Sequence, residues 1–196
     1  MGDVILVTGG ARSGKSAFAE SLATDASRPV TYIATLEPLD DEMRDRIARH
    51  RARRPADWRT VEVTGDATSG LAGDLAGAAR TAQDSDTILL DCIAVWTSNR
   101  LLALRDEAPT PAALDALEAE VTRDLDALIE VLTARSGSAI IVTNEVGDGL
   151  VPPYALGRAY RDLLGRVNQQ VSRAARHAYL VVAGRALPLP PPFERA

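Results

Sequence analysis

The stretch "DVILVTGGARSGKSAFAE", Asp3 to Glu20, constrains this chain more tightly than any other. Within it "GGARSGKS", Gly9 to Ser16, fits the pattern G-x-x-x-x-G-K-S, which is informative when a strand precedes it and a helix follows. Both flanks are there: Asp3–Thr8 reads as a buried strand and Lys15–Ala26 as a helix. The glycines let the backbone curl, so that N–H groups from Gly9, Gly10, Ala11, Arg12, Ser13 and Gly14 turn inward toward phosphate oxygens. The helix starting at Lys15 adds the positive end of its dipole to the same point. Lys15 can then set a compact ammonium on the terminal phosphates, and Ser16 can ligate Mg²⁺. Of the 22 lysines and arginines in the chain, Lys15 is the single lysine. The wide, directionally fixed fork of an arginine suits this nest poorly, which gives a physical reason for the exception.

Beyond the loop, short apolar runs alternate with helical patterns. Val30–Ala34, Arg59–Val63, Thr87–Asp91, Ala139–Thr143 and Ala178–Ala183 read as further strands. Asp40–Arg54 reads as a charged helix stopped by Pro55, Thr68–Gln83 as a helical run of small residues, and Tyr154–His177 as another helix. The clearest helix start is at Thr110, a capping residue followed by Pro111 in the first helical position. Leu114, Leu117, Val121, Leu125, Leu128 and Leu132 then recur at steps of three or four and share one face. Near-continuous apolar strands separated by helices predict an α/β fold with a mostly parallel sheet covered on both faces. A chain of 196 residues fits one such domain, residues 1–196. The proline-rich stretch Leu187–Pro192 is expected to form an ordered edge or a loose end.

Charge and composition exclude several classes. A net charge of −5 speaks against nucleic acid or an anionic membrane as the main partner. No apolar run approaches a membrane span, and "MGDVILVTGG" lacks the basic segment that opens a signal peptide. A single cysteine, Cys92, cannot form an internal disulfide and fits a reducing compartment, so a cytoplasmic protein is expected.

Three further places carry candidate chemistry, each with a plainer reading beside it. Asp91 ends the apolar run "TILLD", which would bring its carboxylate out at the carboxyl edge of the sheet as a metal-associated acid; the alternative is a cap for the next helix. "TNEVGDGLVP" follows another strand at that edge, where Asn144 and Glu145 either contact phosphate, metal or substrate, or simply form a turn. In "DDEMRDRIARHRARRPADW", Met43, Ile47 and His50 share a helix face, with Arg46, Arg49, Arg51, Arg53 and Arg54 around the histidine. His50 either completes an amphipathic face or serves as a nucleophile, since neighbouring cations disfavour the imidazolium and keep the ring neutral. His177 reads as a helix-end residue.

Taken in order, "ILVTGGARSGKS", "YIAT" (Tyr32–Thr35), "DDEMRDRIARHRARRPADW" (Asp40–Trp58), "VTNEVGDGLVP" (Val142–Pro152) and "YRDLLGRVNQ" (Tyr160–Gln169) resemble the bifunctional adenosylcobinamide kinase/adenosylcobinamide-phosphate guanylyltransferases of cobalamin biosynthesis. The resemblance runs from near residue 4 to near residue 183. Its most particular parts are R-I-x-x-H-x-x-x-R-P-x-x-W and N-E-V-G-x-G-x-V-P. It implies a P-loop NTPase fold of the RecA-like kind, two reactions at one nucleotide site, Mg²⁺ as cofactor and a homotrimer. The first reaction would move the γ-phosphate of ATP or GTP to adenosylcobinamide. The second would transfer GMP from GTP to adenosylcobinamide phosphate through covalent GMP on the histidine at position 50, releasing pyrophosphate. The resemblance also implies that Ala34, Thr35, Leu36, Arg51, Ala52, Arg53, Arg54 and Glu62 border the guanine nucleotide. Family members often carry a glutamate where this chain has Asp91. Two rivals stand beside this reading: a small-molecule kinase in which His50 only packs, and a non-catalytic subunit that uses the loop as a nucleotide switch.

Overall fold

A computed structural model describes residues 2–36, 48, 51, 52, 54–63 and 73–193. In chain order its elements are β1 (Val4–Thr8), α1 (Lys15–Asp25), β2 (Val30–Ala34), β3 (Arg59–Glu62), α2 (Leu75–Arg80), β4 (Thr87–Asp91), α3 (Ile93–Leu102), α4 (Pro111–Ala134), β5 (Ala139–Val142), α5 (Ala155–Ala174), β6 (His177–Val182) and β7 (Arg185–Leu189). Most of the expected charged helix, including His50, and residues 68–72 of the expected small-residue helix lie outside the described residues.

The strands form one seven-stranded sheet in the order β3-β2-β4-β5-β1-β6-β7. Every neighbouring pair is parallel except β6 and β7. Alternation along each strand divides the core in two. Leu6, Ile33, Ile88, Leu90 and Ile141 face a large cluster with residues of α2, α3, α4 and α5. Val7, Tyr32, Leu89, Ile140 and Val142 face the other way, against Ala19 and Ala23 of α1. Both faces of the inner strands are therefore buried, which is why these runs are apolar throughout rather than alternating.

Helix α4 begins as its sequence dictates. Thr110 Oγ1 accepts from the Ala113 N–H at 3.3 Å, and Pro111 occupies the first turn. Its buried residues are Leu117, Val121, Leu125, Leu128 and Leu132, the predicted stripe apart from the partly buried Leu114. Asp74 caps α2, its Oδ1 accepting from the Gly77 N–H at 2.8 Å.

One expectation needs correction. Helix α5 ends at Ala174, and His177 opens strand β6 instead of closing a helix. The Arg176 N–H donates to the Val4 carbonyl at 2.8 Å and His177 pairs with Ile5, so alignment beside β1 ends the helix three residues early. Of the two readings of the proline-rich stretch, the ordered edge holds as far as Leu189: β7 is the antiparallel edge, with Pro188 opposite Tyr179. An edge strand accommodates proline because one of its rows of N–H groups has no partner to lose. The two-residue turn between β6 and β7, Ala183 (φ 50°) and Gly184 (φ 73°), has both residues left-handed, as hairpins of this length favour.

Candidate active site

Parallel strands bring the carboxyl ends of β1, β2, β4 and β5 to one edge of the sheet, where α/β folds bind ligands. The loop from Gly9 to Gly14 leaves β1 at that edge and is shaped by three positive φ values, at Gly9 (156°), Arg12 (58°) and Gly14 (98°). Gly14 immediately precedes α1, so the loop amides and the helix N-terminus address the same space. The Lys15 Nζ donates to the Gly10 carbonyl at 3.1 Å, which folds the ammonium back over the loop.

The β6–β7 hairpin braces this loop from behind. The Gly184 N–H donates to the Ser13 carbonyl at 2.8 Å. A Cβ on Gly9 would lie 2.3 Å from the Val181 carbonyl oxygen, and one on Gly14 would lie 3.3 Å from the Gly184 Cα. Gly9 is thus required by close backbone approach as well as by loop curvature. Val181 and Gly184, outside the phosphate-loop pattern, set this fit.

In front of the loop is a pocket lined by Lys15, Ser16, Tyr32, Ala34, Leu36, Arg51, Arg54, Thr60, Glu62, Asp91, Cys92, Val95 and Asn144. Eight of the expected site residues meet here: Lys15, Ser16, Ala34, Leu36, Arg51, Arg54, Glu62 and Asp91. Gly9, Gly10, Ala11, Arg12, Ser13 and Gly14 form the loop, while Ala52 is exposed and does not line the pocket. Thr35 does not line the pocket; its hydroxyl donates to the carbonyl of the lining residue Cys92 at 2.7 Å. His50 and Arg53 lie outside the described residues. Tyr32, Thr60, Cys92 and Val95 were not anticipated.

Asp91 does not cap α3. The residue before that helix is Cys92, which makes no side-chain capping bond, and Asp91 Oδ2 instead accepts from the Tyr32 hydroxyl at 3.1 Å. Burial, reinforced by the Asp91 charge, pushes the Tyr32 phenol far above its ordinary range, so the phenol stays protonated and donates. The Arg54 guanidinium lies 3.6 Å from the centroid of the Tyr32 ring, a cation–π contact that anchors the end of the basic segment. Arg51 pairs with Glu62 at 3.2 Å; both are well exposed, and the bond contributes little to stability. Asn144 and Glu145 are placed differently. Asn144 lines the pocket, its carbonyl accepting from Asn168 Nδ2 at 2.9 Å. Glu145 Oε1 accepts from the Gly147 N–H at 2.6 Å, a turn contact, while its own N–H donates to the Gly9 carbonyl at 3.2 Å.

Burial, and then the neighbouring Asp91 charge, pushes the Cys92 thiol up to about 11. Cys92 is expected to react slowly with iodoacetamide at pH 8 and faster as pH climbs toward 11. Because it lines the pocket, bound nucleotide should slow the reaction further. Mass spectrometry of the alkylated protein reads both effects; rapid labelling at pH 8, unchanged by nucleotide, would show that the thiol is neither suppressed nor shielded.

The family described as cobinamide kinase / cobinamide phosphate guanyltransferase matches residues 5–189. The chain is 44% identical over 182 residues to the bifunctional adenosylcobalamin biosynthesis protein CobU of Salmonella typhimurium, covering 92% of this chain and 96% of that one. It is 41% identical over 182 residues to CobU of Escherichia coli, with the same coverage. Against the bifunctional adenosylcobalamin biosynthesis protein CobP of Pseudomonas aeruginosa it is 40% identical over 184 residues, covering 94% of this chain and 95% of that one. Among solved structures, it superposes on a prototypical ATPase from the type III secretion system of pathogenic bacteria with a TM-score of 0.54 at 13% identity. That match covers 92% of this chain and 51% of the ATPase, so the chain spans about half the ATPase's length, and it speaks for a P-loop fold alone.

Proposed function

The chain belongs to the cobinamide kinase / cobinamide phosphate guanyltransferase family, and from that premise we propose how its residues divide the two reactions. The observation that carries the division is a single pocket in which the loop lysine, a strand-end acid and two arginines of the basic segment face one another. Both reactions begin with a nucleoside triphosphate held in the loop, Lys15 meeting its terminal phosphates and the loop amides its bridging oxygens.

In the kinase step a hydroxyl of adenosylcobinamide attacks the γ-phosphorus of ATP or GTP, loses its proton, and releases the nucleoside diphosphate. This step needs alignment and charge stabilisation and no protein nucleophile. In the guanylyl step His50 attacks the α-phosphorus of GTP, the α–β bridging bond breaks and pyrophosphate leaves. The phosphate of adenosylcobinamide phosphate then attacks the histidine-linked phosphorus, the P–N bond breaks, and adenosylcobinamide-GDP is released. Arg51 and Arg54, which follow position 50 in the sequence, border the same pocket as Lys15, which supports the assignment of the nucleophile to His50. Ala34, Leu36 and Glu62 line the pocket beside them and suit a guanine nucleotide.

The residues present also fit Mg²⁺. Ser16 and Asp91 line the pocket with a hydroxyl and a carboxylate, and among the described residues no cluster of three His, Cys, Asp or Glu side chains forms a self-contained metal cage. Few protein oxygens shared with substrate phosphates is the arrangement Mg²⁺ favours. Ser16 and Asp91 would hold the ion, which when bound neutralises charge on the phosphate oxygens. A cytoplasmic homotrimer of this one domain, residues 1–196, completes the reading taken from family resemblance. Among the described residues no helix is long and apolar enough to cross a membrane.

Incubation with Mg²⁺ and GTP labelled at either the α- or the γ-phosphate, followed by denaturing electrophoresis, tests the proposal. The α-label should stay on the protein and the γ-label should not, because pyrophosphate leaves. A protein that phosphorylates adenosylcobinamide yet takes up neither label would be a kinase alone. One that binds nucleotide but turns over no corrinoid would be the switch.

A further inference from the structure

We infer that Tyr32 is a positioning residue for the Mg²⁺-associated carboxylate of Asp91, an inference that rests on the proposed function of this pocket. Tyr32 sits in the middle of a strand buried up to its last residue and is itself only 3% exposed, yet it lines the pocket. A buried tyrosine requires a partner for that hydroxyl, and the partner here is Asp91 Oδ2 at 3.1 Å. The register between β2 and β4 makes the contact: Ala34 pairs with Asp91, and Tyr32 lies two residues back along the neighbouring strand. One carboxylate oxygen is therefore occupied from the sheet side, which leaves the other lone pairs of Asp91 to face the pocket.

The same ring carries Arg54 on its face, 3.6 Å from guanidinium carbon to centroid. Tyr32 thus touches an acid used by both reactions and an arginine that closes the segment containing His50. Phenylalanine keeps the ring, its packing and the arginine platform, and removes only the hydroxyl. The two contacts can for that reason be separated by experiment. A group that orients a metal-ligating carboxylate is worth about 10–100-fold in metal affinity or activity.

The test is GTP binding by calorimetry across a Mg²⁺ titration, on the full chain, for wild type, Tyr32→Phe, Asp91→Asn and the double variant. Tyr32→Phe should raise the Mg²⁺ concentration for half-maximal enhancement of GTP affinity by roughly tenfold or more. The shift in the Mg²⁺ midpoint should exceed any change in GTP affinity without Mg²⁺, a split that a merely structural role would not produce. In the Asp91→Asn background, Tyr32→Phe should add nothing, because the group it acts through has gone. An unchanged Mg²⁺ midpoint in Tyr32→Phe, or losses that add in the double variant, overturns the inference. These readouts need no turnover, so they are distinct from the corrinoid assays: a wild type inactive on corrinoids defeats the proposed function, whereas an active wild type with an insensitive Tyr32→Phe defeats only this inference.

Discussion

Lys15→Ala is expected to abolish both phosphoryl and guanylyl transfer while leaving the fold intact. The ammonium is the fixed positive charge at the mouth of the loop, held 3.1 Å from the Gly10 carbonyl, and both reactions place phosphates there. Loss of one preorganised group that stabilises developing charge typically costs about 10²–10³ in rate, and here the loss applies twice, once per reaction. Lys15 belongs to neither buried cluster, so the thermal midpoint should change little. Lys15→Arg should fail nearly as badly despite keeping the charge. The loop is closed from behind by Val181 and Gly184 and cannot widen to admit a planar fork. Both variants are read by initial rates of corrinoid phosphorylation and of pyrophosphate release at saturating nucleotide. Near-normal rates for Lys15→Arg in both assays would show that the nest discriminates by charge alone, and the reason given for the single lysine would be wrong.

The contrast between Lys15 and Tyr32 marks how far the sequence could be read. β1, the loop and α1 were legible because a buried run, a spaced glycine pattern and a helix follow without interruption, and each constrains the next. β2 and β4 were legible as strands, but "VTYIA" does not say which strand it lies beside. Only the pairing of Ala34 with Asp91 brings the Tyr32 hydroxyl to the carboxylate. The available signal was a tyrosine in an otherwise apolar strand, which must find a partner when buried. Helix α3 went unplaced because it lacks a capping side chain: Cys92 precedes it with no capping bond. The helical pattern of α5 runs on past Ala174, and what ends it is a long-range bond from Arg176 to Val4. Strand β7 was hidden by its proline, and its support of the phosphate loop through Gly184 spans 171 positions of sequence, from 13 to 184, beyond the reach of local pattern. Local chemistry was legible; contacts made by register and closure were not.

His50→Ala is expected to remove the covalent GMP and the guanylyl step together while sparing the kinase step. His50 is flanked in sequence by Arg49, Arg51, Arg53 and Arg54, and the described members of that group, Arg51 and Arg54, line the same pocket as Lys15. Cations this close in sequence are expected to disfavour protonation of an imidazole, which would leave a lone pair for the α-phosphorus. They also favour the crowded negative charge of an attacked triphosphate and of departing pyrophosphate. The product of attack is a phosphoramidate, which should be lost in acid and survive alkali. A serine or aspartate ester would not show that combination. The wild type should therefore carry an acid-labile label from α-labelled GTP, and His50→Ala should carry none, with guanylyl transfer lowered by at least about 10³ as expected when a nucleophile is deleted. Phosphorylation of adenosylcobinamide should persist within a few-fold, since Lys15, Ser16 and Asp91 are untouched and direct γ-transfer relies on alignment. Label undiminished in His50→Ala would move the nucleophile elsewhere. His177, the only other histidine, is at the start of β6, its Nε2 facing Asp3 Oδ2 at 4.0 Å and outside the residues that line the pocket. Label lost together with kinase activity would instead mean that position 50 holds the shared triphosphate rather than attacking it.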